Sequence, residues 1–526
     1  KSMTNNSSLI INHSSHLVGE INIPGDKSIT HRAIILGSIS NGRTIITNPL
    51  LSEDCKRTIN AFRVLGVEIE IQDKIVTVNG KGLNSLKLPS SIIDAGNSGT
   101  LARLISGILA AQEFSSVITG DESLVKRPMG RIIEPLEKAG AVISSQNGQL
   151  PISFDKPLCK PIEFTSLIPS AQIKSCLILA SLFINGRSEI NESVKTRDHT
   201  ERMLQYLDYP LSINNTKIAI EGNTTVIAKD ISIPSDISSA AFLIVASLIK
   251  NQSSITLRSI GVNPLRTGIV DVLIKMGADI KLVNPRSICN EPIADIQVKS
   301  SKLKPIKLAG DIISRLIDEL PILFIACACC DGVSLIEDIG ELRHKESDRI
   351  KSMEEGLINL GIDVKTTQNS IEITGGAFRG GIVNSYGDHR VAMSFIISGF
   401  ASQNHVNSYG GQTMSSAYNQ QSVTETFIFK GYCRATGATS FAWDVSIDSN
   451  SNVNGTTSII GTASTSQDAT GTNGAGEQVY WQFAGGKSGV QYPSGGMELI
   501  MKINCTATNA HGSTAADELT ITYIFN

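Results

Sequence analysis

The chain is poor in aromatic residues, has no excess of one charge and contains no long apolar run. Aromatic residues make up 5% of its 526 residues, and 46 lysines and arginines stand against 49 aspartates and glutamates. A protein with this balance lacks the basic field with which duplex-binding proteins displace counterions, so nucleic-acid binding is not expected. The longest apolar run, residues 320–330, is far shorter than the roughly 20 residues that span a bilayer, so no transmembrane helix is predicted. The first residues also lack the basic and apolar segments of a secretion signal, and we expect a cytoplasmic protein.

The charge density changes near residue 400. Residues 401–526 hold four Lys/Arg and eight Asp/Glu, against 42 and 41 in the first 400, and they hold both tryptophans. At about 150 residues per domain, the chain is expected to form three or four folding units. Residues 402–421 are polar, uncharged and without hydrophobic periodicity, which is typical of a linker. We therefore expect a linker at 402–421 that joins two unlike parts, residues 1–401 and 422–526.

A repeat is visible in the first part. Six times, a short polar tip is followed at once by an apolar segment of helical length. The tips begin at Gly25, Gly96, Pro169, Pro234, Asp318 and Gly387, with spacings of 71, 73, 65, 84 and 69 residues. Second helices that stop at a glycine are predicted before Gly66, Gly140, Gly277 and Gly361, with a weaker copy near Asp208. The pattern predicts a strand, helix, strand, helix, strand, strand unit, and the sixth copy lacks its second half.

The tips have the composition of anion sites. At a helix start, free backbone N–H groups and the helix dipole both favour negative charge. Cations lie at or just after the tips, at Lys27, Arg32, Arg103, Lys174 and Arg390, and further arginines follow at Arg127, Arg197 and Arg349. Six such tips converging would form an anion-binding cleft.

Eight motifs in order resemble those of the 5-enolpyruvylshikimate-3-phosphate (EPSP) synthase family. They are GDKSITHR at 25–32, GNSGT at 96–100, KRPMGR at 126–131, SAQIK at 170–174, RDHTE at 197–201, DELP at 318–321, KESDR at 345–349 and GDHRVAM at 387–393. The resemblance runs from about residue 8 to 400. SAQIK and RDHTE are similar to the class II branch, whereas NPLRTG at 263–268 departs from the usual NPTRTG.

The resemblance implies an α/β fold of two lobes, each built from three βαβαββ repeats in an inverse α/β barrel with helices inside and sheets outside. It places residues 1–24 and 233–401 in a lower lobe and residues 25–232 in an upper lobe. The two crossings between them would form a hinge, and the substrates would bind between the lobes.

The reaction implied is transfer of the enolpyruvyl group of phosphoenolpyruvate to the 5-hydroxyl of shikimate 3-phosphate, with release of phosphate. This transferase step of the shikimate pathway leads to the aromatic amino acids and needs neither a metal nor a cofactor. The implied partners are these two small molecules, with no nucleic acid and no membrane, and a monomer is expected.

By match to the motifs, Lys27, Asp318 and Glu346 are the implied catalytic residues. Asp318 would orient or deprotonate the 5-hydroxyl, and Glu346 would give and take the proton at C3 of phosphoenolpyruvate. The implied ligands of shikimate 3-phosphate are Lys27, Ser28, Arg32, Ser170, Ala171, Gln172, Arg197, Asp318 and Lys345. The implied ligands of phosphoenolpyruvate are Lys27, Asn97, Gly99, Thr100, Arg127, Gln172, Arg349 and Arg390. Burial would raise the pKa of Glu346 and Asp318 and cations would lower it, and the sequence leaves the balance open.

Other readings of several residues stay open at this point. Asp26 and Asp388 can serve as structural partners of a neighbouring cation, and His199 and His389 can touch a ligand or lie behind the site. Cys327, Cys329 and Cys330 suit apolar packing better than a metal site, because no second Cys/His pair stands at ligand spacing. The rival UDP-N-acetylglucosamine enolpyruvyl transferase carries a lid cysteine, and residues 120–128 contain none.

Residues 422–526 alternate apolar and polar residues with period two, which predicts antiparallel strands. Cys433, Trp443 and Cys505 resemble the pattern of an immunoglobulin-like sandwich, in which the two cysteines either form an inter-sheet disulfide or stay as thiols. Such a module binds partners or acts as a spacer. The alternative function is therefore a fusion with impaired catalysis whose tail serves as a binding or structural module.

Overall fold

The computed structural model describes residues 16–401 throughout and, outside them, the backbone of strands at 9–11, 406–409, 415–417, 424–435, 438–447, 477–488, 497–509 and 514–525. The chain divides into two compact units. One comprises His13–Gly381 and Ser385–Asn404, and the other comprises Lys1–Asn12, Ile382–Asn384 and His405–Asn526.

Eleven α-helices lie in the described part of the first unit. They are α1 (Lys27–Ile39), α2 (Glu53–Val64), α3 (Gly99–Leu109), α4 (Gly130–Lys138), α5 (Ala171–Ser181), α6 (His199–Tyr206), α7 (Ile237–Ile249), α8 (Gly268–Lys275), α9 (Leu320–Ala328), α10 (Arg349–Asn359) and α11 (His389–Ala401). The polar residues at several starts are N-caps, whose side chains accept a backbone N–H of the first turn. The capping residues are Asp26, Ser98, Ser170, Asp236 and Asp348.

The described strands surround these helices. Before α7 they are β1 (Leu9–Ile11), β2 (Val18–Asn22), β3 (Asn41–Thr47), β4 (Glu68–Gln72), β5 (Ile75–Lys81), β6 (Ile93–Asp94), β7 (Ser116–Thr119), β8 (Val142–Gln146), β9 (Gln149–Lys156), β10 (Glu163–Ser166), β11 (Arg187–Glu192), β12 (Leu211–Asn214), β13 (Lys217–Glu221) and β14 (Ile231–Ser232). From α7 to α11 they are β15 (Ser254–Gly261), β16 (Asp279–Ile288), β17 (Glu291–Lys299), β18 (Lys307–Leu308), β19 (Val333–Glu337), β20 (Asp363–Thr366), β21 (Ser370–Thr374) and β22 (Gly381–Asn384).

Five four-stranded sheets repeat one pattern. Their orders are β14-β3-β5-β4, β6-β7-β9-β8, β10-β11-β13-β12, β2-β15-β17-β16 and β18-β19-β21-β20. In each, a short edge strand runs parallel to its neighbour and the remaining pairings are antiparallel. Two helices accompany each sheet, so the predicted strand, helix, strand, helix, strand, strand unit is the one observed.

Two edge strands are exchanged between repeats. Strand β2 precedes α1 but pairs with β15, and β14 precedes α7 but pairs with β3. The segments that follow these strands lie side by side, because Asp26 N–H donates to Pro234 O and Asp236 N–H donates to Pro24 O. The chain therefore crosses twice between two groups of sheets at one place.

The first helices of the repeats form the interior. Helices α1, α3 and α5 pack together, as do α7, α9 and α11. Every residue of α9 is buried, and so are residues 29–39 of α1. Strands such as β3 and β5 bury alternate residues and expose the others, as sheets do that cover a core with one face. Helices thus lie inside and sheets outside.

The stops of the second helices also follow the predicted pattern. Gly66, Gly140, Gly277 and Gly361 have φ between +84° and +102°, the left-handed region that favours glycine. In the weaker third copy Asp208 takes this position with φ of +55°. Asp tolerates the left-handed conformation better than most residues, so the copy keeps its geometry without the glycine.

The second unit contains β-strands. Strands β1, β22 and β23 (Val406–Tyr409) form a three-stranded sheet. The other strands are β24 (Ser415–Ala417), β25 (Thr424–Ala435), β26 (Ala438–Ile447), β27 (Glu477–Ser488), β28 (Met497–Asn509) and β29 (Thr514–Phe525). They form two antiparallel sheets of order β24-β25-β27 and β26-β28-β29. Strands β23 and β24 lie within the stretch that the composition predicts as a linker.

Neither unit shows, in its described part, a helix long and apolar enough to cross a membrane.

Candidate active site

The eleven helices direct their N-termini at one cleft of about 560 Å³ in the first unit. Each helix contributes a lining residue from its start or from the loop just before it. In chain order these include Lys27, Asp54, Thr100, Arg131, Gln172, Arg197, Ser238, Arg266, Asp318, Arg349 and Arg390. The convergence exceeds the six tips expected from the sequence, because the second helices also point into the cleft. Helix starts and arginines together make a strongly anion-binding site.

All sixteen residues that the sequence analysis assigned to the substrates line this cleft. They are Lys27, Ser28, Arg32, Asn97, Gly99, Thr100, Arg127, Ser170, Ala171, Gln172, Arg197, Asp318, Lys345, Glu346, Arg349 and Arg390. They lie up to 363 positions apart in the sequence, and the repeat brings them together.

One side of the cleft is built from α1, α3 and α5. Arg32 is 4% exposed and donates from Nε to Thr200 Oγ1 at 2.8 Å and from Nη2 to Ser175 Oγ at 2.8 Å. Lys27 Nζ lies 3.0 Å from Asp54 Oδ2. Gln172 donates to Thr100 Oγ1 at 3.1 Å. These partners hold the polar groups of the tips in fixed directions.

Asp318 stands between cations at the centre of the cleft. Arg197 Nη2 lies 2.5 Å from its Oδ2, and Lys345 Nζ lies 3.1 Å from its Oδ1. Burial raises the pKa of this carboxyl, but Lys345, Arg197 and other cations outweigh burial and hold the pKa well below its usual range. Asp318 is therefore ionised and able to accept a proton from a bound hydroxyl.

Glu346 lies just before α10 among arginines. Arg349 Nη2 is 2.6 Å from its Oε2, and Arg127 Nη1 is 3.8 Å from its Oε1. Burial raises the pKa of Glu346, but Arg349 and Arg127 outweigh it and lower the pKa to about 2. The sequence left open whether burial or the neighbouring cations dominate the pKa of Asp318 and Glu346, and in the structure the cations dominate for both.

Arg349 and Arg127 each keep a donor without a hydrogen-bond partner among the described residues, as Arg266 does at its Nε. Arg349 is 1% exposed and is held by Asp388, 2.7 Å from its Nε, while its Nη1 lies 3.6 Å from Asp318 Oδ1 and makes no hydrogen bond. Arg127 donates from Nη2 to Asn97 Oδ1 at 2.9 Å, and its Nε makes none. Buried donors of this kind are normally satisfied, so both point to an anionic ligand in the cleft.

Gly99 has no side chain, and this leaves space in the cleft beside Arg103 and Arg127. A Cβ atom at this position would lie 2.9 Å from Arg103 Nη1 and 3.3 Å from Arg127 Nη1. Both distances are shorter than ordinary van der Waals contact, so a side chain here would displace the guanidinium groups.

One predicted cation does not reach the cleft. Lys174 was expected among the cations of the tips, but it is 3% exposed and its Nζ lies 2.9 Å from Glu192 and 2.7 Å from Glu201. It is the third residue past the start of α5, where helical geometry turns its side chain towards the neighbouring sheet and α6. The expectation that it binds an anionic ligand is wrong.

The structure distinguishes between the alternatives left open for His199, His389, Asp26 and Asp388. His199 does not line the cleft and shares a hydrogen bond of 2.6 Å with Glu291, whereas His389 does line the cleft. Asp26 caps α1 and lies 3.4 Å from Arg266, and Asp388 holds Arg349. The two aspartates are thus structural partners of cations.

Sequence reasoning missed other lining residues. Arg103 donates to Gln172 Oε1 at 2.9 Å, and Arg266 donates to Ser238 Oγ at 2.6 Å. Arg103 stood among the cations of the tips, and Arg266 belongs to the NPLRTG motif, so both carried a signal that was not used for the site. Asp54 is a residue of the first turn of α2, and only the prediction that second helices also start at the cleft would have found it.

No group of three or more His, Cys, Asp or Glu side chains that could hold a metal ion occurs in the described part of the chain. Cys327 is buried in α9, where burial raises the pKa of its thiol to about 12. It packs as a small apolar residue.

Comparison with known proteins agrees with this geometry. The family described as EPSP synthase (3-phosphoshikimate 1-carboxyvinyltransferase) matches residues 11–421. The chain is 47% identical over 400 residues to the 3-phosphoshikimate 1-carboxyvinyltransferase of Ruthia magnifica, which covers 76% of this chain and 92% of that protein. It is 48% identical over 386 residues to the protein of the same name from Legionella pneumophila strain Corby, over 73% of this chain and 89% of that one.

A solved structure shows the same likeness. The EPSP synthase of Acinetobacter baumannii aligns with a TM-score of 0.70 and 42% identity, over 77% of this chain and 94% of that one. The family match, the relatives and the cleft of arginines and helix starts lead to one conclusion: the chain belongs to the EPSP synthase family and is a carboxyvinyl transferase.

Proposed function

We propose that the cleft binds shikimate 3-phosphate and phosphoenolpyruvate and transfers the enolpyruvyl group to the 5-hydroxyl of shikimate 3-phosphate, with release of phosphate. The observation that carries the proposal is a pair of arginines that line the cleft, Arg127 and Arg349, each of which keeps a buried donor without a hydrogen bond to the described residues. Asp318 and Glu346 line the same cleft. Two guanidinium groups suit the carboxylate and phosphate of one small molecule.

In this reaction Asp318 serves as the base. Its depressed pKa keeps it ionised, so it can accept a hydrogen bond from the 5-hydroxyl and orient it, but the same low pKa makes it a weak base. It therefore takes the proton only as the oxygen bonds to C2 of phosphoenolpyruvate, because the hydroxyl proton becomes strongly acidic at that point. Arg197 and Lys345, which contact Asp318 in the described structure, bind shikimate 3-phosphate alongside it. Lys27, Ser28, Arg32, Ser170, Ala171 and Gln172 complete that subsite.

Glu346 carries the proton for C3. With a pKa of about 2 it is ionised, and it must take up a proton before it can donate one. Phosphoenolpyruvate bound to Arg127, Arg349 and Arg390 brings negative charge that offsets the cations lowering this pKa, so binding raises it. Glu346 then protonates C3 as the hydroxyl adds, and it recovers a proton from C3 when the tetrahedral adduct loses phosphate.

The two-lobe division also belongs to this proposal. Residues 1–24 and 233–401 form one lobe and residues 25–232 the other. The separate packing of α1, α3 and α5 and of α7, α9 and α11 supports it, as does the double crossing beside Pro24 and Pro234. Ion pairs such as Arg127 with Glu346 then connect the two lobes across the cleft.

For residues 422–526 we propose an immunoglobulin-like module that acts as a spacer or binds a partner. The strand orders support it, because β25 pairs with β27 while β28 pairs with β26 and β29, and sandwiches of this class likewise keep their second and fifth strands in one sheet and their third, sixth and seventh in the other. Strand β24, which extends the first sheet, lies before residue 422. Cys433 lies on β25, and Trp443 on β26 is paired in register with Cys505 on β28. The inter-sheet disulfide, the cytoplasmic location and the monomeric state stay predictions.

Phosphate release from phosphoenolpyruvate by the full chain, with and without shikimate 3-phosphate, tests the proposed reaction. Release that requires shikimate 3-phosphate, together with formation of the enolpyruvyl product, is the expected result. Release at the same rate without shikimate 3-phosphate would contradict it.

A further inference from the structure

Lys174 and Glu201 are the last residues of the SAQIK and RDHTE motifs, and the proposed reaction gives neither a role. They meet in the structure at 2.7 Å, although 27 positions separate them. Glu192, the last residue of β11, is the second carboxylate on the same ammonium group, at 2.9 Å. All three side chains are at most 7% exposed.

The ammonium group of Lys174 has no donor left for a substrate. Its three N–H bonds meet three acceptors, which are Glu192 Oε2, Glu201 Oε1 and the main-chain oxygen of Thr196 at 3.2 Å. Lys174 also does not line the cleft, although Gln172 and Ile173 before it do. A direct contact with substrate is therefore excluded by geometry.

These bonds fix the loop that carries Arg197. Glu192 Oε1 accepts hydrogen bonds from both the N–H and the hydroxyl of Thr196, so Lys174 and Glu192 hold Thr196 from its two sides. Arg197 follows directly and reaches Asp318 across the cleft. The position of its guanidinium group thus depends on a loop anchored at a buried ion pair.

The neighbouring residues place a second predicted ligand of shikimate 3-phosphate. Ser175 follows Lys174 on α5, Thr200 precedes Glu201 on α6, and the two hydroxyls are hydrogen bonded at 2.8 Å. Both accept hydrogen bonds from Arg32. The contact between α5 and α6 therefore has two neighbouring pairs of residues. The pair Ser175 and Thr200 holds Arg32, and the pair Lys174 and Glu201 lies beside the loop that carries Arg197.

We infer that Lys174 is a positioning residue for the binding of shikimate 3-phosphate. Lys174 acts through Glu192 and the Thr196 loop to fix the position of Arg197, and Glu201 is the second carboxylate that balances the charge of Lys174. The inference rests on the proposed function, since it takes Arg197 and Arg32 as ligands of that substrate. It explains why a lysine ends one motif and a glutamate ends the other.

The test is calorimetric titration of the full-length protein with shikimate 3-phosphate alone, beside a measurement of the melting temperature. Lys174→Met keeps an unbranched side chain that is one atom shorter and removes the ammonium group with its three polar contacts. We expect its affinity for shikimate 3-phosphate to fall about tenfold or more, because small displacements of a binding group have effects of this size. Glu192→Gln removes one of two carboxylates from a single ammonium group, leaves no unpaired buried charge, and should lower the affinity severalfold.

Glu189→Gln is the matched control. Glu189 lies on the same strand as Glu192 but is 37% exposed and pairs with Lys217 at the surface. The Glu189→Gln variant should therefore bind shikimate 3-phosphate with the affinity of the wild type. Each affinity is measured well below the melting temperature of the variant. A positioning role then weakens binding by folded protein, whereas a purely structural role lowers only the melting temperature.

Unchanged affinity in folded Lys174→Met and Glu192→Gln would overturn the inference while leaving the proposed function intact. If Lys174→Met does not fold, Glu192→Gln alone decides between the two results. If the wild type itself fails to bind shikimate 3-phosphate, the proposed function fails and the inference fails with it.

Discussion

The fifth and sixth repeats approach the cleft in different ways. In the fifth repeat the starts of both helices line the cleft, through Asp318 before α9 and through Glu346 and Arg349 at the start of α10. The sixth sends in α11, with Arg390, and no second helix of this repeat occurs among the described residues. Its sheet has three described strands, one of them the N-terminal β1, where the other repeats have four.

The difference shows what a second helix does in this fold. In each of the five complete repeats its start lines the cleft, through Asp54, Arg131, Arg197, Arg266 and Arg349. A repeat without one therefore loses a helix start in the cleft as well as cover for its sheet. We expect the chain to keep its recognition residues and to turn over substrate more slowly than a chain whose sixth repeat has a second helix.

The largest effect should come from the second helix of the fifth repeat. Glu346→Gln removes the proposed proton donor at C3, so kcat should fall about 10²- to 10⁴-fold, the usual contribution of a general acid or base. Steady-state phosphate release measures it. The control is Glu341→Gln, because Glu341 pairs with Arg131 at the exposed edge of the cleft and should change kcat little. Comparable losses in both variants would contradict the role of Glu346.

Completing the sixth repeat tests the comparison directly. The match covers 92% of the Ruthia magnifica enzyme. Replacing residues 402–526 with the C-terminal end of that enzyme should raise kcat/KM for phosphoenolpyruvate about tenfold to a hundredfold, the effect expected for restoring a missing positioning group. Equal values for the two chains would show that the half-repeat is dispensable.

The charge of Glu346 should also be visible in the pH dependence of stability. Its pKa of about 2 lies below the ordinary value of 4.5, so its ion pairs stabilise the fold above pH 4.5 and this contribution is lost as the pH falls towards 2. Between pH 6 and pH 3 the free energy of unfolding should fall by about 2 kcal/mol less in Glu346→Gln than in the wild type. Urea denaturation at both pH values measures the difference, and equal decreases would refute the depressed pKa.

The smallest effect is expected at a tip of a complete repeat. Because Gly99 leaves room beside Arg103 and Arg127, the wild-type activity should be inhibited by glyphosate, a phosphonate analogue of phosphoenolpyruvate. Gly99→Ala places a Cβ 2.9 Å from Arg103 Nη1 and should raise the inhibitory concentration about tenfold, as one misplaced carbon commonly does. Ser98→Ala changes the neighbouring cap instead and is the control. A wild type insensitive to saturating glyphosate would refute this account of the pocket.

The sequence predicted the position of the site best where the start of a helix contains both its N-capping residue and a predicted substrate-binding residue. Gly25, Gly96 and Gly387 mark polar tips that could be found from composition alone, and the repeat then predicted helices inside and sheets outside. The exchange of β2 and β14 could not be predicted in this way, because strands of two and five residues carry almost no periodic signal.

The direction of a side chain was also beyond the sequence. Lys27 and Lys174 stand at similar helix starts, yet the first faces the cleft and the second faces two buried carboxylates. The difference depends on where β11 and α6 pack, which no local pattern encodes. For the same reason the depressed pKa of Glu346 required the positions of Arg127 and Arg349.

The pairing of β2 with β15 affects how the protein is made. Val18 of β2 pairs with Ser254 of β15, so β2 emerges from the ribosome some 236 residues before its partner. At about 5 to 20 residues per second, the wait is about 12 to 47 seconds. During that time residues 41–232 can complete three sheets of their own, while β2 stays an unpaired strand. The order of synthesis thus allows the middle of the chain to fold before β2 can pair with β15.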